Sequence, residues 1–225
     1  MDRDDPAYRG QSDYSPVLLR LYDPLVLGPI SRYVWQFPME KHGNFYPEHI
    51  RPNHLDIGPG TGYFLEHSGL PDGSKVTILD PNPNVLRYVK RRLRRLDVTA
   101  VEADVLKPFP MSGLFDSVGL NMVLHCLPGP MERKAPAIEN IARVIAPGGV
   151  LFGASVLGIS APHTRLGRAV LRAFNRRGAF GNIDDTEAGL RDILGRSFNN
   201  VELKTYGGIA TFVATNQAKS GEPAS

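Results

Sequence analysis

The sequence predicts an α/β protein built on an open, mostly parallel sheet, and three observations carry that prediction. Leu55-Asp56-Ile57 is a short apolar strand that runs straight into Gly58-Pro59-Gly60-Thr61-Gly62, a turn with glycine at alternate positions. Two further β-branched runs, Val76-Thr77-Ile78-Leu79-Asp80 and Val98 to Asp104, end in carboxylates spaced 24 residues apart, the length of one strand–helix unit. Near the end of the chain, Val201 to Tyr206 and Ile209 to Thr215, split by Gly207-Gly208, read as an antiparallel hairpin.

The glycine turn says what the sheet is for. Glycine allows a backbone to turn tightly and a ligand to come close to it. A helix opening after Gly62 would turn its unpaired N–H groups and positive dipole end toward whatever sits over the loop. This pattern predicts a nucleotide-type cofactor site. The dinucleotide pattern G-x-G-x-x-G is absent, because its third glycine, counted from Gly58, falls on Tyr63.

What stands there instead, acidic-x-G-x-G-x-G, resembles the first motif of the class I methyltransferases that use S-adenosylmethionine (SAM). Further landmarks follow in that family's order: Asp80, Asp104, a fourth strand from Phe115 to Asn121 with Met122 to Pro128 behind it, and a helix end, tight turn and fifth strand from Val144 to Phe152. The resemblance is specific over roughly residues 50 to 157 and weaker to 215. It implies a Rossmann-like, doubly wound, seven-stranded and mostly parallel sheet, with the terminal hairpin antiparallel and a helical lid at the N-terminus. It implies SAM as cofactor, S-adenosyl-L-homocysteine (SAH) as product, and no metal. At the matching positions, Asp56, Gly58, Pro59, Gly60 and Gly62 form the cofactor loop. Asp80, with Pro81, accepts the ribose hydroxyls, Asp104 takes the adenine amino group with Val105 nearby, and Asn121 with Met122 positions the methionine part.

Composition sets bounds. A chain of 225 residues, 42% of them hydrophobic, can bury one α/β core and is short for two. The expected organisation is a helical lid and substrate-binding extension over 1–50, the methyltransferase domain over 51–216, and a disordered tail over 217–225. Apolar and aromatic residues from Pro16 to Pro38, interrupted at Pro24 and Pro29, predict two short helices, and His42 to Asn53 reads as a loop. Residues 163–177 predict an amphipathic helix, with Leu166, Ala169, Val170, Ala173 and Phe174 inward and arginines outward. A loop over 178–183 follows, then a helix capped by Thr186.

Lys+Arg 26 against Asp+Glu 23 gives a net charge of +3, too small an excess to imply nucleic acid. The basic run Lys90 to Arg95 reads as the solvated face of a helix whose stripe is Val85, Leu86, Val89, Leu93 and Leu96. The six histidines show no metal-ligand spacing, and the lone Cys126 has no partner for a disulfide. No apolar run approaches a membrane span and the first residues lack a secretory pattern, so a cytoplasmic protein is expected, with peripheral membrane contact left open.

The acceptor is less legible than the donor. His125 lies just past the fourth strand, where an imidazole could take a proton from a hydroxyl; packing or bonding to backbone is an equal reading. The aromatic residues Tyr14, Tyr22, Tyr33 and Trp35, with Phe180, are the candidates for binding acceptor. The reading is methyl transfer to an O, N or S nucleophile, less readily a carbon one, of a small, fairly apolar molecule. Methylation of a lipid or isoprenoid head group at a membrane surface, and SAM binding without transfer, are the alternatives.

Overall fold

The structure is a computed structural model that describes residues 31, 33–37 and 45–216. One sheet contains β1 (His54–Ile57), β2 (Lys75–Asp80), β3 (Asp97–Glu102), β4 (Phe115–Asn121), β5 (Ile145–Val156), β6 (Asn200–Tyr206) and β7 (Ile209–Thr215). Its order is β3-β2-β1-β4-β5-β7-β6. The first five strands run parallel, and β7 is antiparallel to both of its neighbours, as the sequence predicts. The helices are α1 over residues 45–49, α2 (Tyr63–Glu66), α3 (Pro83–Arg92), α4 (Met131–Ala142), α5 (Arg165–Arg176) and α6 (Glu187–Gly195).

Helices cover both faces, which is why the central strands are apolar on both sides. Leu55, Ile57, Val118, Leu120 and Leu151 meet Ile138 and Ile141 of α4 and Leu190 and Leu194 of α6. On the other face, Ile78, Val150 and Phe152 meet Tyr46 of α1, Leu65 of α2 and Val85 and Val89 of α3. Helix α3 starts where its sequence directs: Pro83 occupies the first turn and the Asn82 side chain accepts from the Asn84 amide at 2.9 Å. The predicted stripe is buried through Leu93 and Leu96, and Lys90, Arg91 and Arg94 face outward. Burying each such aliphatic side chain contributes about 1.5–3 kcal/mol.

Two local expectations are corrected. The stretch read as a loop from His42 to Asn53 contains α1, whose Phe45 and Tyr46 rings pack on Phe152 with centroids 5.8 and 5.0 Å away. Helix α5 is turned in part from its predicted face: Val170 and Phe174 pack inward as expected, but Gly167 and Leu171 are the buried residues, while Leu166 is 56% exposed and Ala169 is exposed. The cause is close packing at Gly167, where an added Cβ would sit 2.8 Å from the Val34 carbonyl oxygen. The glycine therefore turns inward, carrying Leu171 with it and Leu166 out. The helices predicted for residues 16 to 38 lie outside the described residues, apart from 31 and 33–37, and so does the tail over 217–225. Val34, Trp35 and Phe37 are buried against Ala154, Val156 and Ile209.

Candidate active site

In the sheet order the chain reverses direction between β1 and β4, the place where an open α/β sheet leaves a crevice beyond the carboxyl ends of its strands. The parallel strands bring Gly58 to Gly62, Asp80, Asp104, Asn121 and Met122 to that one edge. Gly58, Gly60 and Gly62 have φ of +63°, +57° and +75°, where side chains are strained. Their surroundings differ. A Cβ on Gly58 would lie 2.5 Å from Val123 Cγ2 and one on Gly62 3.0 Å from Val89, but at Gly60 nothing comes within 4 Å. The outer glycines close the loop onto its neighbours and the middle one faces open space, as a cradle for a ligand requires. Helix α2 does open after Gly62, but it has four residues, so its dipole is small and the loop conformation itself must do most of the cradling.

Asp80 ends β2, and its Oδ1 accepts from the Asn82 amide at 2.7 Å. Burial pushes its carboxyl up to about 7, against the pull of that hydrogen bond. Asp104 Oδ1 accepts from the Leu106 amide at 3.0 Å, and the buried Val105 offers its carbonyl to Asn140 Nδ2 at 3.1 Å. Asn121 is 7% exposed and its Oδ1 is buried without a hydrogen-bond partner. Met122 follows with φ +58°, uncommon for a residue with a side chain, and is held there by its N–H donating to Ala154 O at 2.7 Å. An orphaned buried acceptor and a strained backbone beside open space fit a bound cofactor.

Asp56 is placed differently from its loop. Because side chains alternate along a strand, its carboxylate turns toward α1, where Tyr46 O–H donates to Oδ2 at 3.0 Å and His54 Nε2 lies 3.5 Å away. His54 Nδ1 shares a hydrogen bond with Ser117 Oγ at 2.8 Å, and Ser117 Oγ also accepts from the Arg51 amide. Burial, then the neighbouring carboxylate, raises the Tyr46 pKa well above the ordinary phenol value, so Tyr46 stays a donor. This enclosed set braces the base of the glycine loop from below.

His125 sits in a short 3-10 turn, Leu124–Cys126, and is 3% exposed. The Val156 amide donates to its Nδ1 at 3.3 Å, so the neutral ring carries its proton on Nε2. Burial and the nearby Lys134 charge lower its pKa to about 3. That is the geometry of a packing residue bonded to backbone; Nδ1 is engaged and Nε2 is already protonated. Burial likewise pushes the Cys126 thiol up to about 12.

Around His125 stands an aromatic wall. Phe180 packs edge-on against its ring at 4.5 Å, Phe174 lies 4.9 Å from Phe180, and the buried Trp35 lies 6.2 Å from Phe180. Tyr33 is 67% exposed, and Tyr14 and Tyr22 lie outside the described residues. The loop carrying Phe180 is tied down by groups the sequence reading passed over. Lys134 Nζ, fully buried, donates to Asp185 Oδ2 at 2.5 Å and to Gly181 O at 3.0 Å. Burial drives both partners toward their neutral forms and each one's charge opposes that. Asn182 donates to Val156 O at 2.8 Å, and the Gly181 amide donates to His125 O at 2.9 Å. The sequence signal was a lysine inside the apolar stripe Met131, Ala135, Ile138. A separate cavity of about 340 Å³ between α1 and the β6–β7 hairpin, lined by Phe37, Phe45, His49, Glu202 and Tyr206 among others, contains none of the candidate cofactor or acceptor residues. Among the described residues, no group of three or more His, Cys, Asp or Glu could hold a metal ion, and no helix is long and apolar enough to cross a membrane.

A seven-stranded sheet of this order, with a glycine loop at the reversal and carboxylates closing β2 and the loop after β3, defines a class I SAM-dependent methyltransferase. The family described as a methyltransferase domain matches residues 55–153. The chain is 37% identical to demethylluteothin O-methyltransferase of Streptomyces thioluteus, over 91% of this chain and 90% of that one. It is 34% identical to the physcion biosynthesis cluster O-methyltransferase of Aspergillus chevalieri, over 93% and 96%. The crystal structure of the N-methyltransferase NodS from Bradyrhizobium japonicum WM9 with SAH shares the fold, with TM-score 0.56 and 21% identity over 78% of this chain and 85% of that one. The chain belongs to the SAM-dependent methyltransferase family, is an enzyme of that class, and uses SAM as its cofactor.

Proposed function

We propose that this enzyme methylates an oxygen, or less readily a nitrogen, of a small and fairly apolar ring compound, and that it works in the cytoplasm. The observation that carries the reading is the aromatic wall of Phe180, Phe174 and Trp35 beside His125, four residues past the strand end that carries Asn121. Flat apolar rings suit such a wall, since aromatic pairs gain about 0.5–1.5 kcal/mol beyond their area. The names of the two relatives given above, both O-methyltransferases, support an oxygen acceptor.

When bound, SAM supplies an activated methyl group on a sulfonium. The residues of the chain hold and align. Gly60 leaves room for the cofactor, Asp80 accepts the ribose hydroxyls, Asp104 takes the adenine amino group, and Asn121 Oδ1 accepts from the methionine part. Asp56 acts through Tyr46 and His54 to keep the loop in shape. Phe180 and Trp35 exclude water and orient the acceptor, the positioning effect that contributes up to about 7–11 kcal/mol in favourable systems. His125 shapes this wall without exchanging protons. The segment before β1, whose Trp35 packs near Phe180, helps select the acceptor. A methyl-transfer screen with isotopically labelled SAM over phenols, enols and aryl amines tests the reading. Label on the oxygen of an apolar ring compound is the expected outcome, whereas SAM binding with no turnover over the whole panel would contradict it.

A further inference from the structure

The outward face of α5 has chemistry that methyl transfer does not use. Arg165, Arg168, Arg172 and Arg176 lie three or four residues apart on one stripe roughly 16 Å long, and Arg177 follows at the cap. All five are exposed, the helix contains no acidic residue, and none of the five makes an ion pair among the described residues. At the start of the same helix stand two of the exposed large hydrophobic side chains, Leu166 at 56% and Tyr33 at 67%. Tyr33 immediately precedes Val34, whose carbonyl oxygen lies against Gly167 at this end of α5.

We propose that α5, together with the segment at Tyr33, docks the enzyme reversibly on an anionic phospholipid surface. Guanidinium groups bind phosphate oxygens in a bidentate manner, and a line of them matches a plane of head groups. Tyrosine and leucine at the end of that line fit the boundary between head groups and acyl chains. A single-stranded nucleic acid would call for bases to stack on aromatic side chains along the stripe, which holds none, and a duplex held through its phosphates would leave Leu166 and Tyr33 unexplained. An acidic protein would match the arginines and leave Tyr33 and Leu166 unexplained. The inner side of α5 carries Phe174, which packs on Phe180, so docking brings the aromatic wall beside the bilayer in which an apolar acceptor accumulates.

The full chain is sedimented with phosphatidylcholine vesicles with and without phosphatidylglycerol, at rising salt. Binding is expected only with the anionic lipid and falls as salt rises, since each arginine near such a surface strengthens partitioning about fivefold. Arg168→Ala with Arg172→Ala lowers partitioning roughly 25-fold. Arg91→Ala with Arg94→Ala, an equal loss of charge at the end of α3 and in the turn after it, leaves it nearly unchanged. Leu166→Ser weakens binding and keeps its salt dependence. Calorimetric SAH binding, unchanged in every variant, reports an intact fold and keeps failure here separate from failure of the methyltransferase reading. No retention on anionic vesicles overturns the proposal; so does equal loss in the α3 pair, or tighter retention on single-stranded DNA or polyglutamate than on vesicles.

Discussion

Asp80 carries its carboxyl near pH 7 before any ligand arrives, and this makes it the most informative single residue. The carboxylate accepts two hydroxyls better than the neutral acid does, so SAH should bind about tenfold more weakly at pH 6 than at pH 8, with proton release near neutrality. Calorimetry in buffers of different ionisation enthalpy reads both effects, and Asp80→Asn should remove them along with most of the affinity. The apo protein should show the opposite slope. A folded pKa raised above the unfolded one means that the folded state binds more protons, so stability falls as pH rises from about 4 to about 7. A flat affinity profile would reject the ribose role. Gly60→Val should lower stability through the strain of a β-branched residue at φ +57°, but it meets no neighbour within 4 Å, so the chain should still fold and should lose SAH binding; Gly58→Ala should lower stability through its clash with Val123 as well. For His125, replacement by alanine should lower the melting temperature and leave the shape of the pH–rate profile unchanged. A rate loss that tracks acceptor acidity would restore it as a base.

Helix α4 and the 178–185 loop depend on each other through one buried pair. Lys134→Met strands Asp185 and should cost about 3–5 kcal/mol in urea unfolding, while Lys134→Met with Asp185→Leu should recover much of that. In the single variant the Michaelis constant for acceptor should rise more than that for SAM, since the loop bears Phe180 and not the cofactor residues. Elements of this kind also mark where the sequence was legible. The strands were, because apolar runs, carboxylates at their ends and a glycine loop are local signals that tertiary contacts did not override. The inward face of α5 was not: Leu166 and Leu171 are equally apolar, and the choice between them rests on Gly167 meeting Val34, a contact 133 residues apart in sequence. Helix α1 was hidden by its brevity, five residues that include Pro47 and are flanked by Gly43, Asn44 and Pro52. Which face of β1 receives Asp56 follows from the pleat, yet that Tyr46 would be there to meet it depends on α1.

Taken as one molecule, the chain places the candidate donor residues at the carboxyl edge of a doubly covered sheet, and the aromatic cluster comes from the pre-sheet segment (Trp35), α5 (Phe174) and the loop after α5 (Phe180). Trp35 and Phe37 are buried in the core against β5 and β7, so the pre-sheet segment completes the fold, and Trp35 also lies 6.2 Å from Phe180, within the proposed acceptor wall. Trp35→Ala should therefore raise the Michaelis constant for acceptor and lower stability together, with little change in SAH affinity. The central claim, that the glycine loop and the strand ends form a SAM site and not a dinucleotide site, is tested most directly by thermal unfolding with and without ligands. At about 100 times its dissociation constant a ligand of the native state adds about 2.7 kcal/mol, which for a chain of this size raises the melting temperature by roughly 5–10 °C. SAM and SAH should give that shift, and NAD and NADP should give none. A shift with NAD or NADP and none with SAM or SAH would contradict the account.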